Sequence, residues 1–210
     1  MKLFRGLTFL LLVSISGNSF AQMKMKPSQN SSIASKKHLQ TEMRELWAEH
    51  ILWTRNVVLC LVDNLPGRKQ SVKRLLQNQV DIGNIYKPYY GNVIGEKLTT
   101  LLLAHINISE EVINAAKLGN KIALDKANLK WFANGNEIVV FLNKINPQQR
   151  LADLKTMMDN HLKWTTDMVN CRIKKDYDTD IIAYDKVNKE ILSMADMLSE
   201  AIIKQFPKQF

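Results

Sequence analysis

The sequence predicts an all-α protein, an up-down bundle of about six helices. Three observations carry the prediction. From Lys37 onward apolar residues recur at spacings of three and four. No stretch of strand length alternates at two. Turn-forming clusters at Asn64-Leu65-Pro66-Gly67, Lys87-Pro88-Tyr89-Tyr90-Gly91, Gly119-Asn120, Asn146-Pro147 and Lys174 to Asp178 cut the chain into six long segments.

The N-terminus stands apart from these helices. Lys2 and Arg5 make a positive n-region, residues 6–17 are mostly apolar, and Ser19-Phe20-Ala21 ends in a small-x-small pattern. These are the parts of a secretory signal peptide, so residues 1–21 are expected to be removed after Ala21. No Cys follows the apolar run, and no later segment reaches the roughly 20 apolar residues of a membrane span. The expected product is exported, periplasmic or secreted, without a transmembrane span. Residues 22–37 read as a flexible basic leader and 38–207 as the bundle domain.

Within that domain the helices are expected at 38–64, 69–86, 92–118, 121–145, 148–173 and 178–205. The first carries the stripe Met43, Trp47, His50, Thr54, Val57, Leu61, and the second Val72, Leu75, Gln79, Ile82, Tyr86. The third carries Leu98, Leu101, His105, Ile108, Val112. The fourth carries Leu124, Ala127, Trp131, Asn134, Ile138, Phe141. Pro147 suits the first turn of the fifth, whose stripe is Leu154, Met157, His161, Trp164, Met168. The sixth, capped by Asp178 or Thr179, places Asp185 and Asn188 on the face of Ile181, Leu192 and Ala195. Short connections make consecutive helices antiparallel neighbours. A weak echo of Trp53, Leu61, Pro66 and Arg74–Gln79 in Trp131, Leu142, Pro147 and Thr156–His161 allows two three-helix halves.

The chain of 210 residues is 46% hydrophobic, enough to bury a core. Of its net charge of +9, Lys2 and Arg5 supply two and Lys24, Lys26, Lys36 and Lys37 four, which leaves about +3 over the folded part. Without a clustered basic face no nucleic acid is expected as a partner.

His50, His105 and His161 therefore each interrupt an otherwise apolar stripe. A buried imidazole needs a partner for each nitrogen, because an unpaired buried polar group costs about 1–3 kcal/mol. Helices of similar length bring their midpoints to one level, where Gln79, Asn134 and Asp185 could join the histidines. Glu137 lies one turn from Asn134. Asp81 lies two residues from Gln79 and points elsewhere, the weaker candidate. Imidazole with carboxylate suits zinc, iron, manganese or copper, and bundles build metal sites in this way. The candidate ligands are His50, His105, His161, Asp185, Glu137 and Asp81. There is no His-x-x-x-His, paired Glu-x-x-His or Cys-x-x-Cys spacing, and each histidine also reads as a core residue bonded to Gln79, Asn134 or water. The Trp and Met residues nearby read as core filling.

Cys60 and Cys171 lie ten residues after His50 and His161, about 15 Å along parallel helices. Export favours a disulfide; two buried thiols are the alternative. Asp176-Tyr177-Asp178-Thr179-Asp180 contains Asp-x-Asp twice, the pattern that holds a divalent ion in nucleotide-sugar transferases. At a helix start, acids are better explained by the macrodipole. The Tyr86, Tyr89, Tyr90 turn reads as packing between helices or as the mouth of a pocket.

Several stretches carry a resemblance: His50-Ile-Leu-Trp-Thr-Arg-Asn56, Arg74-Leu-Leu-Gln-Asn-Gln-Val-Asp-Ile-Gly-Asn84, Lys87-Pro-Tyr-Tyr-Gly91, His105-Ile106, Asn134 with Glu137, His161-Leu162, Ala183-Tyr-Asp185, Met194-Ala-Asp-Met-Leu198 and Ile202-Ile-Lys-Gln-Phe-Pro207. From Leu46 to Pro207 the chain resembles a family of bacterial helical-bundle proteins without an established function. Some of its members carry an automatic glycosyltransferase label. The resemblance implies His50, Asp81, His105, Glu137, His161 and Asp185 as a group. The family pattern often has His where this chain has Asn188, which leaves a second metal short of a ligand. The reading favoured is an exported metal-binding bundle. The alternatives are a structural or interaction bundle whose polar seam fixes helix register and, last, a transferase-type enzyme.

Overall fold

The structure is a computed structural model that describes residues 29–210. The signal-peptide reading of residues 1–21 and the leader up to residue 28 lie outside the described residues. Six helices follow: α1 (Gln29–Val62), α2 (Arg68–Tyr90), α3 (Asn92–Lys117), α4 (Lys121–Ile145), α5 (Leu151–Ile173) and α6 (Tyr177–Gln205), then a 3-10 turn (Pro207–Gln209). The protein is an all-α helical bundle. Among the described residues no helix is long and apolar enough to cross a membrane.

Each helix packs on its neighbours in sequence, and α6 closes the ring on α1. The odd helices α1, α3 and α5 also touch one another, so they form the inner layer; the even helices lie outside them. The core runs through this inner triangle, with Met43, Ile51, Leu154 and Met168 fully buried on the odd helices and Val187 and Ile191 on α6.

The recurring unit is a two-helix hairpin, repeated three times, in place of the two halves suggested by the echo. Asn64, Gly119 and Lys175 lie 55 and 56 residues apart, and all three adopt left-handed φ of 57°, 64° and 61°. In each turn the next N–H reaches back over the helix end: Leu65 to the Cys60 carbonyl at 3.1 Å, Asn120 to Ala115 at 3.1 Å, and Asp176 to Cys171 at 3.0 Å. This is one Schellman motif used three times. The helices before it match as well: His50-Ile51, Thr54 and Val57-Val58 correspond to His105-Ile106, Ser109 and Val112-Ile113, and to His161-Leu162, Thr165 and Met168-Val169. A left-handed conformation is strained for a residue with a Cβ. Lys175→Gly is therefore expected to raise stability by about 0.5–1 kcal/mol, read as a higher urea midpoint; an unchanged or lower midpoint would contradict it.

Three helix boundaries differ from expectation. α1 begins at Gln29, inside the expected leader, because residues 29–38 hold no Gly or Pro and a helix anchored by buried Leu39 and Met43 propagates cheaply backward. α2 continues through Pro88 to Tyr90. The aromatic turn packs between helices, for Tyr89 stacks on Phe210 at 5.6 Å and Tyr90 meets Phe206 edge-on at 4.9 Å. Pro147 does not open α5. Asn146 instead bends the chain, its Oδ1 accepting from Gln148 N at 3.1 Å and its Nδ2 donating to the Tyr90 hydroxyl at 3.0 Å. The cap of α6 is Asp176, which accepts from Thr179 N at 3.2 Å.

Candidate functional site

The three histidines meet between the inner helices. The His161 ring centroid lies 5.8 Å from His50 and 6.2 Å from His105. All three side chains are buried. They divide the interior into two spaces. Towards the C-terminal ends of the odd helices lies a cavity of about 100 Å³, bordered by the histidines, Thr54, Ser109 and Thr165. On the other side lies a void of about 20 Å³ against Trp47, Tyr86, Met158 and Met194.

Each histidine turns its Nδ1 to a residue 29 positions later, on the outer helix of its own hairpin. His50 Nδ1 lies 3.2 Å from Gln79 Nε2. His105 Nδ1 donates to Asn134 Oδ1 at 2.8 Å, a direction set because Asn134 Nδ2 itself donates to the Leu101 carbonyl at 3.2 Å. His161 Nδ1 faces Glu190 Oε2 at 3.5 Å, and neither carboxylate oxygen has another partner among the described residues. The hairpin repeat thus builds one constellation three times, with an amide, an amide and a carboxylate behind the ring.

The far nitrogens differ. His105 Nε2 accepts the indole N–H of Trp131 at 3.1 Å, so both its nitrogens are used. The two hydrogens of Gln79 Nε2 go to the Leu75 carbonyl at 2.9 Å and Asn78 Oδ1 at 3.0 Å, which leaves none for His50 Nδ1. Burial, then the neighbouring His161 and His105, holds His50 well below the usual imidazole range. Burial and His161 push His105 down to about 3. Both rings are neutral at physiological pH.

The predicted carboxylates do not join them. Glu137 and Asp185 are exposed. Asp81 is half-buried on the outer side of α2, where it accepts from Gln77 Nε2 at 2.9 Å and lies 3.7 Å from Arg74 Nη1. On α6 the buried stripe is Asp180, Ala183, Val187, Ile191, Met194 and Leu198. That phase turns Asp185 outward and brings Glu190 against His161. The spacing of 29 residues from each histidine was the sequence trace of Gln79, Asn134 and Glu190 together. Among the described residues, no three His, Cys, Asp or Glu side chains stand close enough to hold a metal ion between them. Cys60 and Cys171 are free thiols.

Asp180, the last acid of the Asp-x-Asp string, is fully buried and held by Arg55, whose Nη2 donates to Oδ2 at 2.6 Å. Arg172 Nη1 lies 3.6 Å from the same carboxylate and its Nε bonds Asp63 at 2.9 Å. The string is a cap and an ion-pair anchor.

No family model, curated protein or solved structure matches this chain.

Proposed function

We propose that the protein binds a transition-metal ion in the histidine-ringed cavity, first through His50 and His161. The observation that carries this reading is three buried imidazoles, one per hairpin, converging on one small space. Metal–nitrogen bonds of about 2.0–2.1 Å set two ligating rings roughly 5–6 Å apart, and the His50–His161 separation of 5.8 Å fits. A carboxylate behind the ring is how ligating histidines are commonly oriented, and Glu190 stands there. His105 is withheld by the Trp131 indole and joins only when that bond opens. Size favours an ion over an organic substrate: about 100 Å³ is well under the roughly 300–1,000 Å³ of organic ligand pockets. The same comparison argues against a nucleotide sugar at this site. If residues 1–21 are cleaved as a signal peptide, metal is acquired outside the cytoplasm.

The complete pairing of His105 favours a second reading, in which the polar seam only fixes helix register. Elemental analysis separates the two. Protein beginning at Gln22, prepared without a His-tag and loaded with zinc, iron, manganese or copper, should retain about one metal per chain. His161→Ala should lose it. Trp131→Phe frees His105 Nε2 and should tighten binding about tenfold. Absence of metal after loading with all four would end the metal reading and leave the register role.

A further inference from the structure

Thr54, Ser109 and Thr165 occupy the same place in the three hairpins, four residues after each histidine, and all border the 100 Å³ cavity. Several helical hydroxyls bond back to their own helix: Thr100 to the Glu96 carbonyl at 2.9 Å, Thr156 to Ala152 at 3.0 Å, and Ser109 itself to Ile106 at 2.8 Å. Thr54 and Thr165 do not. Their Oγ1 atoms are buried without a hydrogen-bond partner among the described residues, and Thr165 is only 5% exposed. An unpaired buried hydroxyl is unfavourable by about 1–3 kcal/mol, and here two of them face one space.

Charge adds a second constraint. Among the described residues, no Asp, Glu, Lys or Arg lines this cavity. A divalent ion beside these histidines would have Glu190, behind His161, as its nearby negative charge, leaving a net positive charge in a mostly apolar surround, where uncompensated charge is costly.

We infer that Thr54 and Thr165 form the second half of the site and hold a small oxygen-donor monoanion, of formate or acetate size, against the histidine-bound ion. The inference rests on the metal reading above. The hydroxyls donate to the anion's outer oxygen, the anion balances the residual charge, and the apolar wall of Ile113, Leu124 and Val169 limits its size.

The test uses the full chain from Gln22 loaded with Co(II), whose visible absorption reports its ligands. Formate titrated into the loaded protein should shift the spectrum, and benzoate, too large for the cavity, should not. Thr165→Val and Thr54→Val keep the side-chain shape and should each raise the formate concentration needed about tenfold, while Thr165→Ser restores it. Co(II) uptake by each variant confirms that it is folded. Equal formate response in wild type and both valine variants, or a loaded protein indifferent to formate, would overturn the inference while sparing the metal reading. Failure of Co(II) to bind the wild type at all would overturn both.

Discussion

Arg55→Met is expected to destabilise the protein by roughly 3–5 kcal/mol, the range for stranding a buried charge. Asp180 has no exposed surface, and Arg55 grips it in a two-pronged pair across α1 and α6. Arg172 remains at 3.6 Å but is already engaged with Asp63, so it offsets only part of the loss. Arg68→Met gives the contrast. Its pair with Glu110 is half exposed, and such surface pairs contribute about 0–1 kcal/mol. Urea unfolding of both variants and of Arg55→Met/Asp180→Leu is the measurement. The double variant removes the stranded charge and should recover most of the loss. A single-variant cost under about 1 kcal/mol would mean that Asp180 is not held as described.

Acid should weaken the fold in a window set by the histidines. His50 and His105 have lowered affinity for protons when folded, while in the unfolded chain they take up protons near pH 6.5. Below that pH the unfolded state binds protons that the native state refuses. Stability is therefore full above about pH 6.5 and falls towards the folded value of about 3 for His105. Each histidine contributes a slope of about 1.4 kcal/mol per pH unit, so the pair approaches about 2.7 between pH 6 and 4.5, before most carboxylates titrate. His105→Gln, which can still bond Asn134, should remove about half of that slope. A slope identical to wild type would show that His105 is protonated in the native state.

Much of this architecture is legible from residue spacing alone. Period and turn chemistry locate the six helices, and the three apolar stripes interrupted by His50, His105 and His161 identify the residues that meet. The acidic partners are not legible in the same way. Ile181 and Ile182 are apolar yet each 53% exposed, and two adjacent isoleucines point a helical wheel towards the wrong face. Asp180 and Glu190 read as surface residues because burial of a carboxylate depends on Arg55 and His161, which arrive from other helices. Glu137 fails for a simpler reason: its neighbours Ile138 and Val139 take the buried face. The repeat was present as 55- and 56-residue offsets, but too few identities survive for sequence comparison within the chain to separate it from chance.

The ring of hairpins has a consequence for when the site comes into being. Its closing contact joins α6 to α1, pairing residues such as Arg44 with Asp196, 152 positions apart. Contacts between hairpins can form early, but this one waits for nearly the whole polypeptide, and distant closures are the slow ones. His161 and Glu190 arrive with the last hairpin, so a chain that stops before it carries two of the three cavity histidines and lacks the wall that α5 supplies. Formation of the cavity is thereby tied to the arrival of the third hairpin, which supplies one of its walls.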